Sequence, residues 1–502
     1  MARFLRVALL ISLSSALAFN SSSVSGAALA LGSSDAPGGT LILLENGIAA
    51  AAAIAAPAVQ AELLALTLPD QKFNEVLVDI HLNDIHVTQV AVSAAASASA
   101  DGLAATIALS SFHLAATYQA WVMGISAGSG PCDIDIDATA SVTVAVSADC
   151  APVCRPHLEA QGTQVNVRTV SPVCKGVAGQ VLDALVDLFN GAVKQSLTDG
   201  AAAAITAAIN TAANAALANV TLDVPIEGGA VVLRFDLSAS SPPSASSGAF
   251  LALPVLGDAV VAANASARAP FPLPALPPGP PFPACASAYL QLALSAFSVE
   301  SAGWALWSVG GLQSVVQHTV VPPQFPIQLN TTDVGLLAPG LPKAFPNAWM
   351  QLAVSLAAPP AANLTAAGAA LAAPLLIDFQ ALPPSGGAAV TAFTLGCPLG
   401  LALQLGVGGA GGQQNLTANI TSLACTLALA NSTVGPVDAG GLALLVNFVL
   451  ADVLLPLANA VLNVGAPLPS LGGLSLVGTS IQYAPGLAGL CTNFSFTPAA
   501  GS

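Results

Sequence analysis

Charge is what this sequence has least of. Only 7% of its 502 residues are Asp, Glu, Lys or Arg, against about a quarter in an average soluble protein. Basic side chains are the scarcer kind: 10 Lys+Arg stand against 25 Asp+Glu, a formal net charge of −15. A nucleic-acid surface needs clustered Lys and Arg to displace counterions from phosphates, and so few basic residues, scattered along the chain, exclude one. Disorder needs low hydrophobicity with high charge density; 55% apolar residues and a mean hydropathy of +0.77 exclude that as well. An uninterrupted membrane span is also missing. Residues 442–464 carry Asn447, Asp452, Pro456, Asn459 and Asn463, which are costly at bilayer depth. Their apolar positions recur as on an amphipathic helix. The Ala-rich stretch 48–56 is broken by Pro57 and too short to cross. A secreted protein with an unusually large apolar interior remains.

What is present agrees with secretion. Arg3 and Arg6 flank an apolar run, and Ala16-Leu17-Ala18 is a small-x-small cleavage site, so residues 1–18 have the form of a signal peptide. Its removal leaves eight basic residues against 25 acidic ones. Besides Asn20, which sits almost on the cleavage site, eight N-x-S/T sequons lie well inside the mature part, at Asn219, Asn264, Asn330, Asn363, Asn415, Asn419, Asn431 and Asn493, as in a glycosylated extracellular chain. The eight cysteines lack C-x-x-C and zinc-type spacing and suggest disulfides. Cys397 and Cys425 lie symmetrically about the Gly-rich stretch 408–412, as cross-strand partners in a hairpin would; Cys154 and Cys174 lie likewise about Gln164, close to Gly162.

A proline-rich joint divides the chain, with eight prolines in residues 270–283; such a stretch is extended and excludes helix. The first half predicts a helix over 41–66, alternating strands over 76–92, 104–122 and 133–146, a second helix over 177–197, and strands over 220–224 and 230–237. The second half predicts strands between 289 and 429, a helix over 442–464, and closing strands over 474–496. The divisions expected are a signal peptide at 1–18, a flexible segment at 19–40, one lobe at 41–240, a Pro-rich and central region at 241–284, and a second lobe at 285–497.

Several stretches resemble a known family. Tyr289-Leu290-Gln291-Leu292 through Ser301-Ala302-Gly303-Trp304, then Ala338-Pro339-Gly340-Leu341-Pro342-Lys343-Ala344-Phe345-Pro346-Asn347, then Ser432-Thr433-Val434-Gly435-Pro436 and Gly465-Ala466-Pro467-Leu468-Pro469 are similar to motifs of the bactericidal/permeability-increasing, lipopolysaccharide-binding and plasma lipid-transfer proteins. The first half resembles that family in layout: a helix ending Leu68-Pro69-Asp70, strands, Cys150 and Cys154, then a helix. The resemblance implies an α+β fold of two elongated antiparallel β-barrels with long amphipathic helices, joined by a central sheet into a boomerang. It also implies a lipid-binding or lipid-transfer function without an enzymatic step or resident cofactor, with bound phospholipid or another amphipathic lipid as cargo and a membrane or lipid-particle surface as transient partner. Candidate lipid-contacting residues are Leu44, Ile48 and Ile54 of the first helix, Val181, Leu185, Leu188 and Phe189 of the second, and Leu445, Phe448 and Val449 of the last; the bland alternative is that they only pack helix on sheet.

Alternatives attach to particular residues. Recognition of bacterial lipopolysaccharide in this family relies on clustered cations, whereas Lys72, Arg155, Arg168, Lys175, Lys194 and Arg234 are widely spaced here, which favours zwitterionic or neutral lipid. A secreted lipase would use Gly124-Ile125-Ser126-Ala127-Gly128 as a nucleophile elbow, but Gly128-Ser129-Gly130-Pro131 predicts a turn where the elbow needs a helix. Asp79, His81, Asp84 and His86 are the densest potential metal ligands, yet period-two geometry puts the first pair and the second on opposite faces unless a bulge intervenes. Asp133, Asp135 and Asp137 predict a polar outer strand face, and His113, His157 and His318 show no partners in sequence. Trp121, Trp304, Trp307 and Trp349 are suited to core packing or to a membrane surface.

Overall fold

The computed structural model describes residues 37–496 except 75–76, 101, 150–154, 177–179, 215–221, 227–230, 237, 265, 278, 322–326, 384–385, 409–413, 449, 452–454, 465, 468–469 and 472–473. The signal-peptide stretch 1–18 therefore lies outside the described residues. β1 (Gly39–Leu44) runs directly into helix α1 (Glu45–Leu64). Two short strands, β2 (Thr67–Leu68) and β3 (Gln71–Asn74), precede four long ones: β4 (Val78–Ser99), β5 (Gly102–Val122), β6 (Ile125–Asp149) and β7 (Arg155–Cys174). Helix α2 (Gln180–Leu188), a π-helical turn at Phe189–Val193, α3 (Lys194–Ala207) and a second π-turn at Ala208–Ala213 follow. Strands β8 (Leu222–Ile226), β9 (Val231–Asp236), β10 (Ser244–Ser246), β11 (Phe250–Val255) and β12 (Asp258–Val261) complete the first half.

The second half opens with β13 (Leu290–Ser295), helix α4 (Ala296–Ser308), β14 (Ser314–Gln317) and the short helix α5 (Leu341–Ala344). Strands β15 (Trp349–Leu356), β16 (Ala361–Thr365), β17 (Gly368–Leu382), β18 (Val390–Gly408), β19 (Asn415–Ala424) and β20 (Ala428–Ser432) build its sheet. Helices α6 (Ala439–Phe448) and α7 (Leu455–Val464) and strands β21 (Ala466–Pro467), β22 (Ser470–Leu471), β23 (Leu474–Ala484) and β24 (Leu487–Phe496) close the chain.

Three large antiparallel sheets result. The first lobe's sheet runs β2-β4-β5-β6-β7; the second lobe's runs β14-β15-β17-β18-β19-β21. Between them a central sheet, β10-β11-β1-β13-β24-β23-β22, interleaves strands of both halves. Each outer sheet is apolar on one face: on β4, Val78, Ile80 and Leu82 are buried while Asp79, His81 and Asn83 face outward. That alternation is the pattern of a sheet packed on one side. The first lobe's core gathers Ile80, Leu82, Phe112, Tyr118, Ile134, Leu185, Phe189 and Leu197; the second lobe's gathers Leu306, Met350, Phe379, Phe393, Leu395 and Leu442.

The structure corrects several expectations. Leu44 belongs to strand β1 rather than to the first helix, and it is buried in the central-sheet cluster with Ile42, Phe282 and Cys285; an apolar run of this length has no periodicity to separate strand from helix. Helix α1 continues through Pro57, whose ring is exposed. By length and composition α1 is also the one described helix apolar enough to cross a membrane; here Gly47, Ile48, Ala56, Val59 and Leu63 form its buried face. A Cβ on Gly47 would meet the Tyr289 carbonyl oxygen at 2.1 Å, which is how closely the helix start approaches the central sheet. β7 lies outside the strands the sequence predicts: its alternation of inward Leu158, Ala160, Val165, Val167 and Val170 with outward polar residues is broken at Gly162-Thr163 and at Arg168. Helix α4, expected as strand, is buried nearly all round and so carries no amphipathic stripe.

Cys397 pairs with Cys425, as their spacing suggests, and Cys285 with Cys491. Cys174, however, pairs with Cys132. The symmetry about Gln164 misled because β7 runs straight past it: Gly162, at φ +61, marks an irregularity in the β6–β7 ladder, and the register sets Cys132 opposite Cys174. Cys150 and Cys154 lie outside the described residues.

One ionic cluster fastens the chain after β12 to the strands behind it. Arg268 donates to Asp236 Oδ2 at 2.6 Å and to Asp258 Oδ2 at 3.0 Å. Burial pushes the Asp258 carboxyl up to about 6 against the pull of the Arg268 guanidinium, and its Oδ1 has no partner. The folded chain thus holds this proton to a higher pH than the unfolded chain does, and stability falls as pH rises from the ordinary carboxylate range through about 6. The expected loss from this group is of order 2–3 kcal/mol. Asp258→Asn should flatten it, so thermal midpoints of the variant at pH 4 and pH 7 should differ less than those of the parent.

Candidate lipid-binding site

The first lobe's sheet does not close on itself; among the described strands its edges are β2 and β7. The long helices complete the wall. Helix α1 begins where Glu45 Oε2 accepts from the Ala98 N–H, and the chain after its end meets β4 where the Val87 N–H donates to the Leu66 carbonyl. A 20-residue helix rises about 30 Å, and eleven strand residues cover about 36 Å. Helix α1 therefore lies antiparallel along the second half of β4. On the opposite edge, Asn214 accepts from the Leu158 N–H at 2.8 Å and donates to the Leu158 carbonyl at 2.7 Å. Asn210 accepts from the Ala160 N–H at 2.8 Å, and the Thr163 and Thr206 hydroxyls meet at 2.9 Å. Amide side chains spaced four apart thus stand in for a missing strand and cover the edge. The second lobe repeats the device: Asn459 accepts from the Ile420 N–H at 2.8 Å and donates to its carbonyl at 3.1 Å.

Burial along the inner face of this sheet is uneven. At the end far from the central sheet the inner positions are sealed: Ile80, Leu82, Phe112, Leu114, Tyr118 and Ile134 are all within 1% of full burial. Near the central sheet several are only half-buried, Val92 and Ala94 on β4, Leu103 and Ala105 on β5 and Leu158 and Ala160 on β7, while Ala98, Val142 and Val144 stay buried. Ile209 of the second π-turn, packed against the same core, is half-buried too. None of these inner positions is charged. The rim is fastened by polar contacts: Ala98 takes the Glu45 carboxylate on its N–H, and the Gly248 N–H on its carbonyl. In the second lobe Leu405, Val407, Ile481 and Tyr483 are likewise half-buried against the core; the Leu405 N–H donates to Tyr483 Oη at 2.8 Å, and burial raises the Tyr483 phenol above its ordinary value.

The sequence-predicted residues distribute as follows. Val181, Leu185, Leu188 and Phe189 are buried in the first lobe's core, so they support the site rather than line its open part. Ile48 is buried at the central junction, and Ile54 is half-buried on α1 but is not among the residues packed on the first lobe's core. Leu445 and Phe448 lie within α6, while Val449 falls outside the described residues. The lining residues Val92, Ala94, Leu103, Ala105, Leu158 and Ala160 were missed; their one sequence signal is a run of Ala and Ser where a strand would bury bulkier side chains. Of the sequons, Asn264, Asn363, Asn419 and Asn431 are exposed and Asn330, Asn415 and Asn493 half-buried, and Asn219 is outside the described residues. Asn330 caps its own turn, accepting from Thr332 and Asp333, and Asn493 accepts from the Tyr289 N–H.

The chemical alternatives fare differently. Ser126 is exposed on β6, a strand that runs on to Asp149, so the strand-to-helix elbow is not formed. A bulge does intervene at Asp84, φ +57, and it turns Asp79, His81, Asp84 and His86 all to the outer face. His81 stacks edge-on against Trp121 and His86 bonds the Asp84 carbonyl. Among the described residues no group of three or more His, Cys, Asp or Glu is placed to hold a metal ion. His113 has a partner after all in Asp135, and His318 stacks on Trp349.

Comparison with known proteins settles the family. The C-terminal domain of the LBP / BPI / CETP family matches residues 235–488, half of the chain. The chain belongs to the LBP/BPI/CETP family. A bactericidal permeability-increasing protein of Sebastes schlegelii is 28% identical over 208 residues, which cover 41% of this chain and 43% of that relative's length. The crystal structure of a lipopolysaccharide binding protein superposes with a TM-score of 0.58 at 20% identity, over 92% of this chain and 99% of that one. The LBP/BPI/CETP fold, two elongated antiparallel barrels joined by a central sheet into a boomerang, is therefore the fold of this chain.

The edge-covering amides give a direct test of this wall. Asn214→Ala leaves the Leu158 N–H and carbonyl without partners, and a buried orphaned group costs about 1–3 kcal/mol. Urea unfolding should show a loss of that size, whereas Asn190→Ala, at an exposed position bonded only within its own helix, should change stability by less than about 1 kcal/mol.

Proposed function

We propose that this protein is a secreted lipid carrier that holds phospholipid-type acyl chains in the apolar interior of its barrels and passes them between lipid surfaces. The observation that carries this reading is the half-buried, uncharged band of Val92, Ala94, Leu103, Ala105, Leu158 and Ala160 beside a fully sealed core. Soluble proteins do not ordinarily leave a contiguous apolar surface part-open without a use for it. An acyl chain laid along the band would replace water against it, at about 0.8 kcal/mol per CH₂, and the absence of charged inner side chains spares any desolvation penalty. Release to a membrane is then near thermoneutral, since both environments exclude water, and exchange is reversible.

Charge bears on the cargo. A net −15 repels the phosphates of lipopolysaccharide. The related proteins are named for lipopolysaccharide binding and for bactericidal permeability increase. Recognition of that glycolipid is the second reading, and it would require local cations: Lys175 and Lys72 are exposed on the first lobe but belong to different strands' ends. Secretion and glycosylation at the exposed sequons Asn264, Asn363, Asn419 and Asn431 accompany the carrier reading.

Native mass spectrometry of the protein from a eukaryotic secretory host should show co-purified lipid, and Ala94→Trp, which fills the band, should lower the first lobe's occupancy while the fold is retained. Delipidated protein should move labelled phosphatidylcholine between vesicles, with Ser126→Ala equal to the parent. A protein that carries no lipid and transfers none sinks the carrier reading, and lipopolysaccharide affinity that collapses with added salt would favour the second.

A further inference from the structure

Trp349, the first residue of β15, leaves 51% of its surface in water. One flat side of its indole is covered: the His318 imidazole stacks on it, ring centres 4.5 Å apart and planes 18° from parallel. Across from Trp349 stands the acceptor of a sequon. Asn330, of Asn330-Thr331-Thr332, faces it in an isolated antiparallel bridge. The Met350 N–H donates to the Leu329 carbonyl on one side, and the Thr331 N–H to the Ala348 carbonyl on the other, both at 2.9 Å. With bonds on either side, Asn330 and Trp349 form a non-hydrogen-bonded pair, the kind whose side chains lie closest, with Cα atoms about 4.5 Å apart. Residues opposed in this way stand on one face, so the asparagine amide emerges next to the indole. The exposed sequons on strands have other neighbours: Asn363 lies opposite Ala370, Asn419 opposite Gln404 and Asn431 opposite Thr394.

We propose that Asn330 carries an N-linked glycan whose first N-acetylglucosamine packs on the open part of the Trp349 indole. The proposal rests on the secretion and glycosylation that accompany the carrier reading, and adds to them a half-buried site with a structural use. A pyranose ring presents a face of weakly positive C–H groups, and the face of an indole is weakly negative. Their contact also takes apolar surface of both out of water. The hydrogen bonds of Asn330 survive attachment. Its Oδ1 accepts from the Thr332 and Asp333 N–H groups, and the linkage leaves that oxygen untouched. Its Nδ2 has two hydrogens; one is donated to Asp333 Oδ2 at 3.0 Å, and the sugar replaces the other. Two residues along β15, on the same outer face, Gln351 donates to Gln380 at 2.9 Å, and Gln380 donates to Thr391 at 3.4 Å. Neutral amides and hydroxyls of this kind match the hydroxyls of further sugars without a charge to desolvate. The bare chain leaves Trp349 half open; the glycan supplies its cover.

The test is glycopeptide mass spectrometry of the full-length protein from a eukaryotic secretory host, alongside thermal unfolding and acrylamide quenching of tryptophan fluorescence. Asn330 should be occupied. Thr332→Ala removes the sequon but keeps the Asn330 cap, because that bond comes from the Thr332 backbone. It should lower the thermal midpoint by about 2–4 °C and raise quenching in the parent but not in Trp349→Ala. Trp349→Ala should lower the midpoint as well, and the double variant should fall no further than the lower single, since one contact is lost only once. Ser266→Ala, which removes the exposed sequon at Asn264, is the control and should leave midpoint and quenching unchanged. Glycans at the exposed sequons with none at Asn330 overturn the proposal. So does an occupied Asn330 whose loss changes neither readout, or midpoint shifts that add in the double variant. A secreted protein bare at every sequon defeats the glycosylation reading itself, whatever Trp349 shows.

Discussion

An open sheet edge is the constraint that organises this molecule. A long antiparallel sheet that curls without closing leaves a row of unpaired N–H and C=O groups, and these must be covered or they recruit another chain. Both lobes cover theirs with helix rather than strand. Asn210 and Asn214 reach the edge of β7 at Ala160 and Leu158, and Asn459 reaches β19 at Ile420. A wall closed this way keeps one inner surface continuous while leaving the seam to a few side-chain bonds instead of a full ladder. The half-buried residues Leu158, Ala160 and Ile209 lie at that seam.

The same geometry explains where polarity is permitted. Inner positions are apolar throughout, the few charges stand on outer faces, and ionic contacts occur where chain segments are fastened together. Arg268 holds the chain after β12 to Asp236 and Asp258; Glu45 holds the start of α1 to the end of β4. The Cys285–Cys491 disulfide ties the short helical turn Pro283–Cys285, ahead of β13, to the last strand, inside the cluster with Ile42, Leu44 and Phe282. The central sheet is thus the part of the fold on which both halves depend, and the barrels hang from it with room for partial exposure inside.

How much was legible depended on periodicity. β4, β5 and β6 alternate apolar and polar residues, and the pattern located them; α2 shows its stripe at Val181, Leu185 and Leu188, all buried. Where alternation was lost the reading failed. Helix α4 is buried on nearly every side, β1 is a short apolar run, and the alternation of β7 is broken at Gly162-Thr163 and at Arg168. The site was legible only as composition: too many apolar residues for the charge available. Its lining, Val92, Ala94, Leu103 and Ala105, looks in sequence like any weak strand, because half-burial has no local signature.

The sequence alone determined the sign and scarcity of charge, the Cys397–Cys425 pairing across a glycine-rich stretch, and the family likeness carried by the motifs after Tyr289. These depend on composition and on neighbours close along the chain. Tertiary structure decided the Cys132–Cys174 pairing, because β7 runs past Gln164 without turning and its register with β6 sets the two cysteines opposite each other. It decided that β1 joins the second half's β13 across about 250 residues, and that the interior is sealed at one end and half-open at the other. Register and burial arise from contacts between distant strands, and no periodicity within one strand records them.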